Sequence, residues 1–384
     1  MKIIHLSDLH IGKRWFNRDM NDDQKYILNQ ITEIISVNKP DAVVIAGDIY
    51  NTSSPTSDAV ELFDDFISGL SVTVPDTEIM IISGNHDSTK RIDMFRKILN
   101  VHKIHMIGKP PVLPEEYMEK ITLTDEYGNV NFCLLPFISP AMVNRITGTD
   151  ENGRNFSYNK AVRMMIEREN INTDERNIFV SHQFYLPKGS DPSKAERMES
   201  ESIKVGNIDV VYADILERFD YCALGHIHKP MSVGSEYIRY CGTPIAYSMS
   251  EAGQKKGVIM VELNEKGNIN TSVIPLVPLH EVRIIKGTFE EISAQACDDY
   301  IRAVITEKSE VIGIAEKLRE IFPNMLEICY DYNSVSERTV QKRQEADISK
   351  STFELCKEFL QNVSPEEEKI LQDIINNIQG GIEA

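Results

Sequence analysis

The six cysteines of this chain (Cys133, Cys222, Cys241, Cys297, Cys329, Cys356) are scattered, with no C-x-x-C pair among them. That excludes a zinc knuckle and a disulfide framework, and it fits a reducing cytoplasm. No apolar run approaches the roughly 18 residues that a membrane span requires. The start, MKIIHLSDLH, lacks the apolar core of a signal peptide and enters folded sequence at once. There is no P-loop, no internal repeat and no low-complexity tract, and tryptophan occurs once, at Trp15. Positive charge is also scarce: 41 Lys and Arg face 59 Asp and Glu, a net charge of −18. Taken alone, this argues against nucleic acid, whose binders usually carry a basic footprint. Bound divalent metals and a local basic lip can nevertheless reverse the field at one cleft.

What is present reads as a globular protein of more than one domain. The chain has 384 residues, 41% of them hydrophobic and 26% charged, too many for one ordinary core. Over the first two thirds, short apolar runs recur: Lys2 to Leu6, Ala42 to Ala46, Ile79 to Ile82, Phe132 to Leu135, Ile178 to Val180 and Tyr221 to Leu224. Runs of this kind predict strands buried on both faces. Between them, Asp22 to Val37, Ser57 to Leu70 and Tyr158 to Glu169 have helical periodicity. The alternation implies an α/β layered domain. Strands at Ile238 to Cys241 and Gly257 to Leu263 follow, and a hairpin turning at Asn264 to Asn268 into Ile269 to Ile274 closes the domain, residues 1–275.

Two prolines in PLVPLHE mark a linker. A small β/α module follows over residues 280–333: Val282 to Ile285, Tyr300 to Ile305, a helix Val311 to Ile321, and Leu326 to Tyr330. Beyond it, residues 345–384 hold two capping boxes, Ser351-x-x-Glu354 and Ser364-Pro365-Glu366-Glu367. The second opens a helix with Ile370, Leu371, Ile374, Ile375 and Ile378 on one stripe. This helix pair either docks a partner or packs back on its own domain.

The chemistry lies where the predicted strands stop. They end at Asp8-Leu9-His10, Gly47-Asp48, Gly84-Asn85-His86-Asp87, Ser181-His182 and Gly225-His226-Ile227-His228. In open α/β sheets, sites form outside the carboxyl ends of the strands. Residues two apart in an extended segment point to one side, which pairs Asp8 with His10 and His226 with His228. The glycines sit where a strand must turn and the backbone must approach something closely. Two carboxylates, four imidazoles and an amide exceed what one metal takes and suit two with a shared carboxylate. The nitrogen-rich set favours Mn, Fe, Zn or Co over Mg or Ca. Two divalent ions would leave a net charge of about +2, matching an anionic phosphate and a hydroxide, and paired metals about 3.5–4 Å apart clamp an in-line displacement at phosphorus. Phosphoester hydrolysis is the reaction class expected.

D-x-H, G-D, G-N-H-D, an isolated H and G-H-x-H, in that order, resemble the calcineurin-like metallophosphoesterases. HLSDLHIGK, GDIYNTSSPTSDAV, SGNHDS and YCGTPIAYSMSEAGQKKGV resemble, within them, the SbcD family of nuclease subunits. The likeness in sequence covers residues 1 to about 265 and is architectural beyond. It implies a layered β-sandwich core flanked by helices, a small α/β cap over DNA, and C-terminal helices docking an SMC-like ATPase, SbcC. It implies one metal on Asp8, His10, Asp48 and His228 and a second on Asp48, Asn85, His182 and His226, with Asp48 bridging. His86 then matches the catalytic histidine, which is not a ligand and stabilises or protonates the leaving oxygen. Asp87 either orients His86 or caps the turn. Some relatives carry a histidine where Asn51 stands here.

The resemblance further implies a Mn²⁺-dependent 3′–5′ exonuclease and hairpin endonuclease acting on DNA ends, homodimeric, with ATP hydrolysis left to SbcC. Lys13, Arg14, Lys90, Arg91 and Lys229, each next to a ligand motif, are candidate DNA contacts or ordinary solvated charges. Trp15 is expected to pack, and His5, His102, His105 and His280, which match no motif, to be structural. Two other readings stay open: a small-molecule phosphodiesterase or phosphatase on the same metal core, and an inactive DNA-binding scaffold.

Overall fold

In the computed structural model, which describes residues 1–16, 18–192, 198–199, 201, 209–306, 313–331, 352–360 and 363–381, the apolar runs extend as strands of two six-stranded sheets. The first has the order Ile269–Pro275, Gly257–Leu263, Lys2–Leu6, Ala42–Ala46, Glu78–Ile82, Ile104–Ile107. Its last four strands are parallel, and the hairpin Gly257–Leu263/Ile269–Pro275 joins antiparallel beside Lys2–Leu6. The second has the order Met231–Val233, Ser235–Tyr240, Tyr221–Gly225, Arg176–His182, Gly128–Leu135, Glu119–Asp125. It is parallel in the middle and antiparallel at both edges.

The sheets face each other across a dry layer that includes Val44, Ala46, Met80 and Ile82 from the first and Phe132, Leu134, Ile178 and Val180 from the second. Each of these side chains larger than alanine contributes about 1.5–3 kcal/mol by leaving water. The helices Pro140–Thr147 and Tyr158–Glu167 cover the other face of the second sheet through Val143, Ala161, Val162 and Met165, against Leu135, Phe179, Cys222 and Leu224. The helices Asn21–Asn38 and Ser57–Thr73 connect successive parallel strands of the first sheet and bury Ile27, Ile31, Phe63 and Leu70. Right-handed crossovers place both on one side of that sheet. The result is the layered α/β architecture expected, with helix ends within three residues of the sequence reading. The outer strands Ile104–Ile107, Glu119–Asp125 and Met231–Val233 have no counterpart in that reading. Glu119–Asp125 alternates half-buried and exposed residues with few β-branched apolar side chains, so it offers no continuous run to detect.

The chain divides into two compact units, Met1–Tyr247 with Gln254–Leu279, and Ser248–Gly253 with His280–Ile382. In the second, the parallel strands Val282–Gly287, Tyr300–Ile305 and Met325–Tyr330 enclose Ile285, Ile301, Ala303 and Ile305 with Leu318 and Phe322 from Ile314–Ile321 and its C-cap. Residues 311 and 312, expected to begin that helix, lie outside the described residues. The helices Thr352–Leu360 and Pro365–Gly381 are joined by a Lys357–Glu368 ion pair of 2.7 Å. The Ser364 capping box forms: Glu367 N–H donates to Ser364 Oγ (3.3 Å) and Ser364 N–H to Glu367 Oε2 (2.9 Å). Ser351 of the other box lies outside the described residues. Among the described residues no helix is long and apolar enough to cross a membrane.

Candidate metal centre

All five predicted strand ends converge at one edge of the first unit. Asp8 and His10 follow Lys2–Leu6, Asp48 follows Ala42–Ala46, and Asn85 follows Glu78–Ile82; His182 ends its strand, and His226 and His228 follow Tyr221–Gly225. All seven side chains are buried. Four of these residues have left-handed backbone: Asp8 (φ 54°), His10 (φ 44°), Asp48 (φ 51°) and His226 (φ 100°). Non-glycine residues adopt this region at a cost and keep it only where the surroundings demand it. Here pairing carries on past the strands. Asp8 N–H donates to Gly47 O (3.0 Å), His10 N–H to Asp48 O (3.0 Å) and Ile11 N–H to Ile49 O (2.9 Å).

The side chains form two neighbouring donor groups. In one, His10 Nε2 faces His228 Nε2 at 3.1 Å and Asp48 Oδ2 at 3.6 Å. In the other, Asn85 Oδ1 lies 3.1 Å from His182 Nε2 and 2.9 Å from His226 Nδ1, and Asp48 Oδ2 lies 3.3 Å from His182 Nε2. Asp8 lies close to both: its donor atom is within 4.8 Å of those of His10 and His228, and likewise of those of Asp48 and His182. Its carboxylate also accepts the His226 N–H at 3.0 and 3.2 Å. Asp48 Oδ1 accepts the His86 N–H at 2.9 Å, which leaves Oδ2 to the imidazoles.

Burial and charge pull these groups in opposite directions. Burial would raise the Asp48 carboxyl, but His182, His86 and His10 hold it well below the usual carboxylate range. Burial opposes a charged His182, yet Asp48 outweighs it and lifts that imidazole to about 9. Burial drives His10 well below its ordinary value against the pull of Asp48, and it raises Asp8 against His182 and His228. Divalent cations suit this donor set. Two Nε2 atoms that face each other at 3.1 Å can share one proton at most, whereas a cation takes both lone pairs. His10 Nδ1 is buried with no hydrogen-bond partner. His182 Nδ1 lies 2.8 Å from Ala46 O, so that nitrogen carries a proton and Nε2 faces inward, where a cation would replace its proton, the orientation seen in metal-binding histidines.

His86 differs from its neighbour Asn85. Its ring is 24% exposed, Nδ1 sits 3.0 Å from Asn51 O, and Nε2 is 4.0 Å from Asp48 Oδ2. Asp87, for which the sequence left two roles, caps the turn. Its Oδ2 accepts from Ile49 N–H (3.0 Å) and Gly84 N–H (2.9 Å), and its Oδ1 from Tyr50 N–H (2.9 Å). These three bonds support the turn-capping role for Asp87, and the Asn51 carbonyl meets the His86 ring. Burial and Asp48 raise the Asp87 carboxyl to about 6, against these three hydrogen bonds.

Of the candidate DNA contacts, Arg14, Lys90 and Arg91 are exposed, and Lys13 and Lys229 are half-buried. Lys90 and Arg91 stand on the short helix Thr89–Ile92 just after the Asn85 loop. Trp15 packs, as expected.

Several supporting residues escape a sequence reading. Gln24, on the helix Asn21–Asn38, donates to His10 O (2.8 Å) and to Tyr247 Oη (2.9 Å), and Tyr247 donates to Leu9 O. His5 spans the two sheets, with Nδ1 3.0 Å from Tyr221 Oη and Nε2 3.2 Å from Leu224 O; burial lowers it to about 3, so it is neutral. Asn51 acts through its backbone, so its side-chain identity carries no signal, and Gln24 reads as one more polar position on an amphipathic helix.

A family model described as "Calcineurin-like phosphoesterase" matches residues 1–230, a span that holds all seven candidate ligand residues and His86. A second, described as "Type 5 capsule protein repressor C-terminal domain", matches residues 278–364. Among curated proteins, the SbcD subunit of the nuclease SbcCD from Staphylococcus epidermidis is 28% identical over 99% of this chain and 100% of its own. Its counterpart of the same name from Staphylococcus saprophyticus is 30% identical over 87% of this chain and 86% of its own. With more than half of its length matched, this chain belongs to the calcineurin-like phosphoesterase family.

Proposed function

We propose that this protein is the nuclease subunit of an SbcCD-type complex and hydrolyses phosphodiester bonds at DNA ends and hairpins. It would work in the cytoplasm, as a homodimer with an SbcC ATPase, in DNA repair and recombination. The observation that carries the reading is the likeness to the SbcD chains of two SbcCD nucleases over most of the length, joined to a buried cluster of Asp and His donors. Asp8, His10, Asp48 and His228 would hold one divalent ion, and Asp48, Asn85, His182 and His226 the other. The abundance of imidazole favours Mn²⁺ over Mg²⁺. When bound, the ions supply Lewis-acid polarisation of the phosphodiester and a water acidic enough to attack near neutral pH.

The chain's own groups do the rest. Asp48 Oδ1, anchored on the His86 N–H, fixes the position of Oδ2, the oxygen turned toward the His10 and His182 rings. His86 acts from outside the ligand set. With Nδ1 donating to the Asn51 carbonyl, protonated Nε2 gives its proton to the leaving alkoxide as the P–O bond to it breaks and the water oxygen bonds to phosphorus. Lys13, Arg14, Lys90, Arg91 and Lys229 would contact DNA phosphates. With a net charge of −18, DNA binding must rest on such local cations, on the bound metals and on the partner.

Incubation with Mn²⁺ and hairpin DNA tests the reading. Metal-dependent cleavage is expected. No cleavage together with fast turnover of a nucleotide diester would make the protein a small-molecule phosphodiesterase. DNA binding with no hydrolysis of either would make it a scaffold.

A further inference from the structure

His228 has no ladder to hold it. The strand Tyr221–Gly225 stops three residues earlier, and Pro230 ends any extension of regular pairing. A buried backbone segment in this position must find its partners outside a strand ladder. On the N-terminal side of the His228 Cα, the His228 N–H donates to Glu201 Oε1 at 2.8 Å. On the C-terminal side, the His228 carbonyl accepts from Lys256 Nζ at 2.9 Å and from Thr243 N–H at 3.2 Å. The Lys256 ammonium reaches Thr243 Oγ1 (2.8 Å) and Gln254 Oε1 (3.0 Å) as well, so each of its three protons has an acceptor. Glu201 and Lys256 are 7% and 6% exposed. Burying either charge is costly without such bonds, yet both converge on one residue, from 27 and 28 positions away.

We propose that Glu201 and Lys256 are positioning residues that clamp the His228 backbone and so set the aim of its imidazole at the metal centre. The inference rests on the dimetal reading of the site. A donor is useful only within about 0.5 Å and 10–20° of its working geometry, and the His228 ring must meet that of His10 across 3.1 Å. Glu201 comes from the connection between the strands Phe184–Leu186 and Val210–Tyr212. The same connection brings Asp209 Oδ2 to 4.0 Å from His226 Nε2. Glu201 and Asp209 thus each meet one histidine of G-H-x-H, one in each donor group.

The test uses the full chain with Glu201→Ala, Glu201→Gln and Lys256→Met, and two measurements. The first is amide hydrogen exchange of the peptide spanning His228 in metal-free protein. Glu201→Ala should lose at least about tenfold in protection there, whereas Glu201→Gln, whose amide oxygen still accepts, should keep it. The second is Mn²⁺ titration by calorimetry. Glu201→Ala and Lys256→Met should weaken one of two sites by about 10–100-fold, as loss of outer-shell partners does, with Glu201→Gln within a few-fold of wild type. Unchanged exchange in Glu201→Ala overturns the clamp. So does wild-type Mn²⁺ affinity in Glu201→Ala, or equal loss in the Gln and Ala variants. Wild-type protein that takes up no Mn²⁺ overturns the dimetal reading instead, and the exchange result then decides the clamp alone.

Discussion

At the scale of single residues, the division of labour between Asn85 and His86 follows from what their atoms touch. The Asn85 amide oxygen lies between His182 Nε2 and His226 Nδ1, whereas the His86 ring hangs on the Asn51 carbonyl with its other nitrogen 4.0 Å from Asp48 Oδ2. His86 supports the site through its backbone N–H, which Asp48 Oδ1 accepts, and alanine retains that group. His86→Ala should therefore keep two Mn²⁺ per chain, measured by elemental analysis after desalting, while cleavage falls by about 10²–10⁴-fold, the usual contribution of a proton-transfer group. Asp48→Ala should lose metal. Loss of both ions in His86→Ala would refute the assignment of roles. The G-N-H-D motif made this loop legible as a site, but not the role of Asp87. A carboxylate next to a histidine in sequence can point at the ring or at the turn, and only the positions of Ile49, Tyr50 and Gly84 decide it.

At the scale of elements, the strand ends are usable because two of the glycines let backbones approach closely. A Cβ on Gly225 would lie 2.0 Å from Ala46 O and 2.7 Å from His182 Nδ1, where the hydrogen bond that orients His182 runs. A Cβ on Gly84 would lie 2.1 Å from Asp48 Oδ1. Gly225→Ala should lower the melting temperature, since overpacking costs about 1–3 kcal/mol, and should weaken Mn²⁺ binding by at least about tenfold as His182 is displaced. Gly69→Ala is the control: nothing lies within 4 Å of its Cβ, and alanine within a helix favours folding by about 0.5–1 kcal/mol. Calorimetric melting with and without Mn²⁺ reads both effects. A Gly225→Ala protein with wild-type affinity would mean that the Ala46 contact does not orient His182. The sequence marked these glycines as turns, but it could not say which neighbour each one admits, because those neighbours belong to other strands.

At the scale of the whole molecule, the candidate ligands and the C-terminal helices belong to different units. All seven candidate ligands lie in the unit of Met1–Tyr247 and Gln254–Leu279. The helices Thr352–Leu360 and Pro365–Gly381 belong to the other and leave apolar side chains in water, Phe359 (86% exposed) above all, with Leu360, Ile370 and Ile374. Removal of residues 345–384 should therefore abolish capture of an SbcC ATPase in a pull-down while Mn²⁺-dependent cleavage of hairpin DNA persists. Retained capture would refute a docking role for these helices, and lost cleavage would tie them to the metal-bearing unit.

Which residues could bind metal, and in what chain order they arrive, was decided by the sequence alone. Period and composition make the buried strands, and a strand that stops must present its next residues at a sheet edge. The sequence also contained the turn glycines and the proline-marked passage near residue 279. The tertiary structure alone decided which donors share a group, that Asp8 lies near both, that His86 hangs on a backbone carbonyl, and that Gln24, Glu201 and Lys256 hydrogen-bond the backbones of His10 and His228. Those facts depend on distances between segments tens to hundreds of residues apart. Local propensity contains no term for such distances, which are set only when the two sheets close on their shared core.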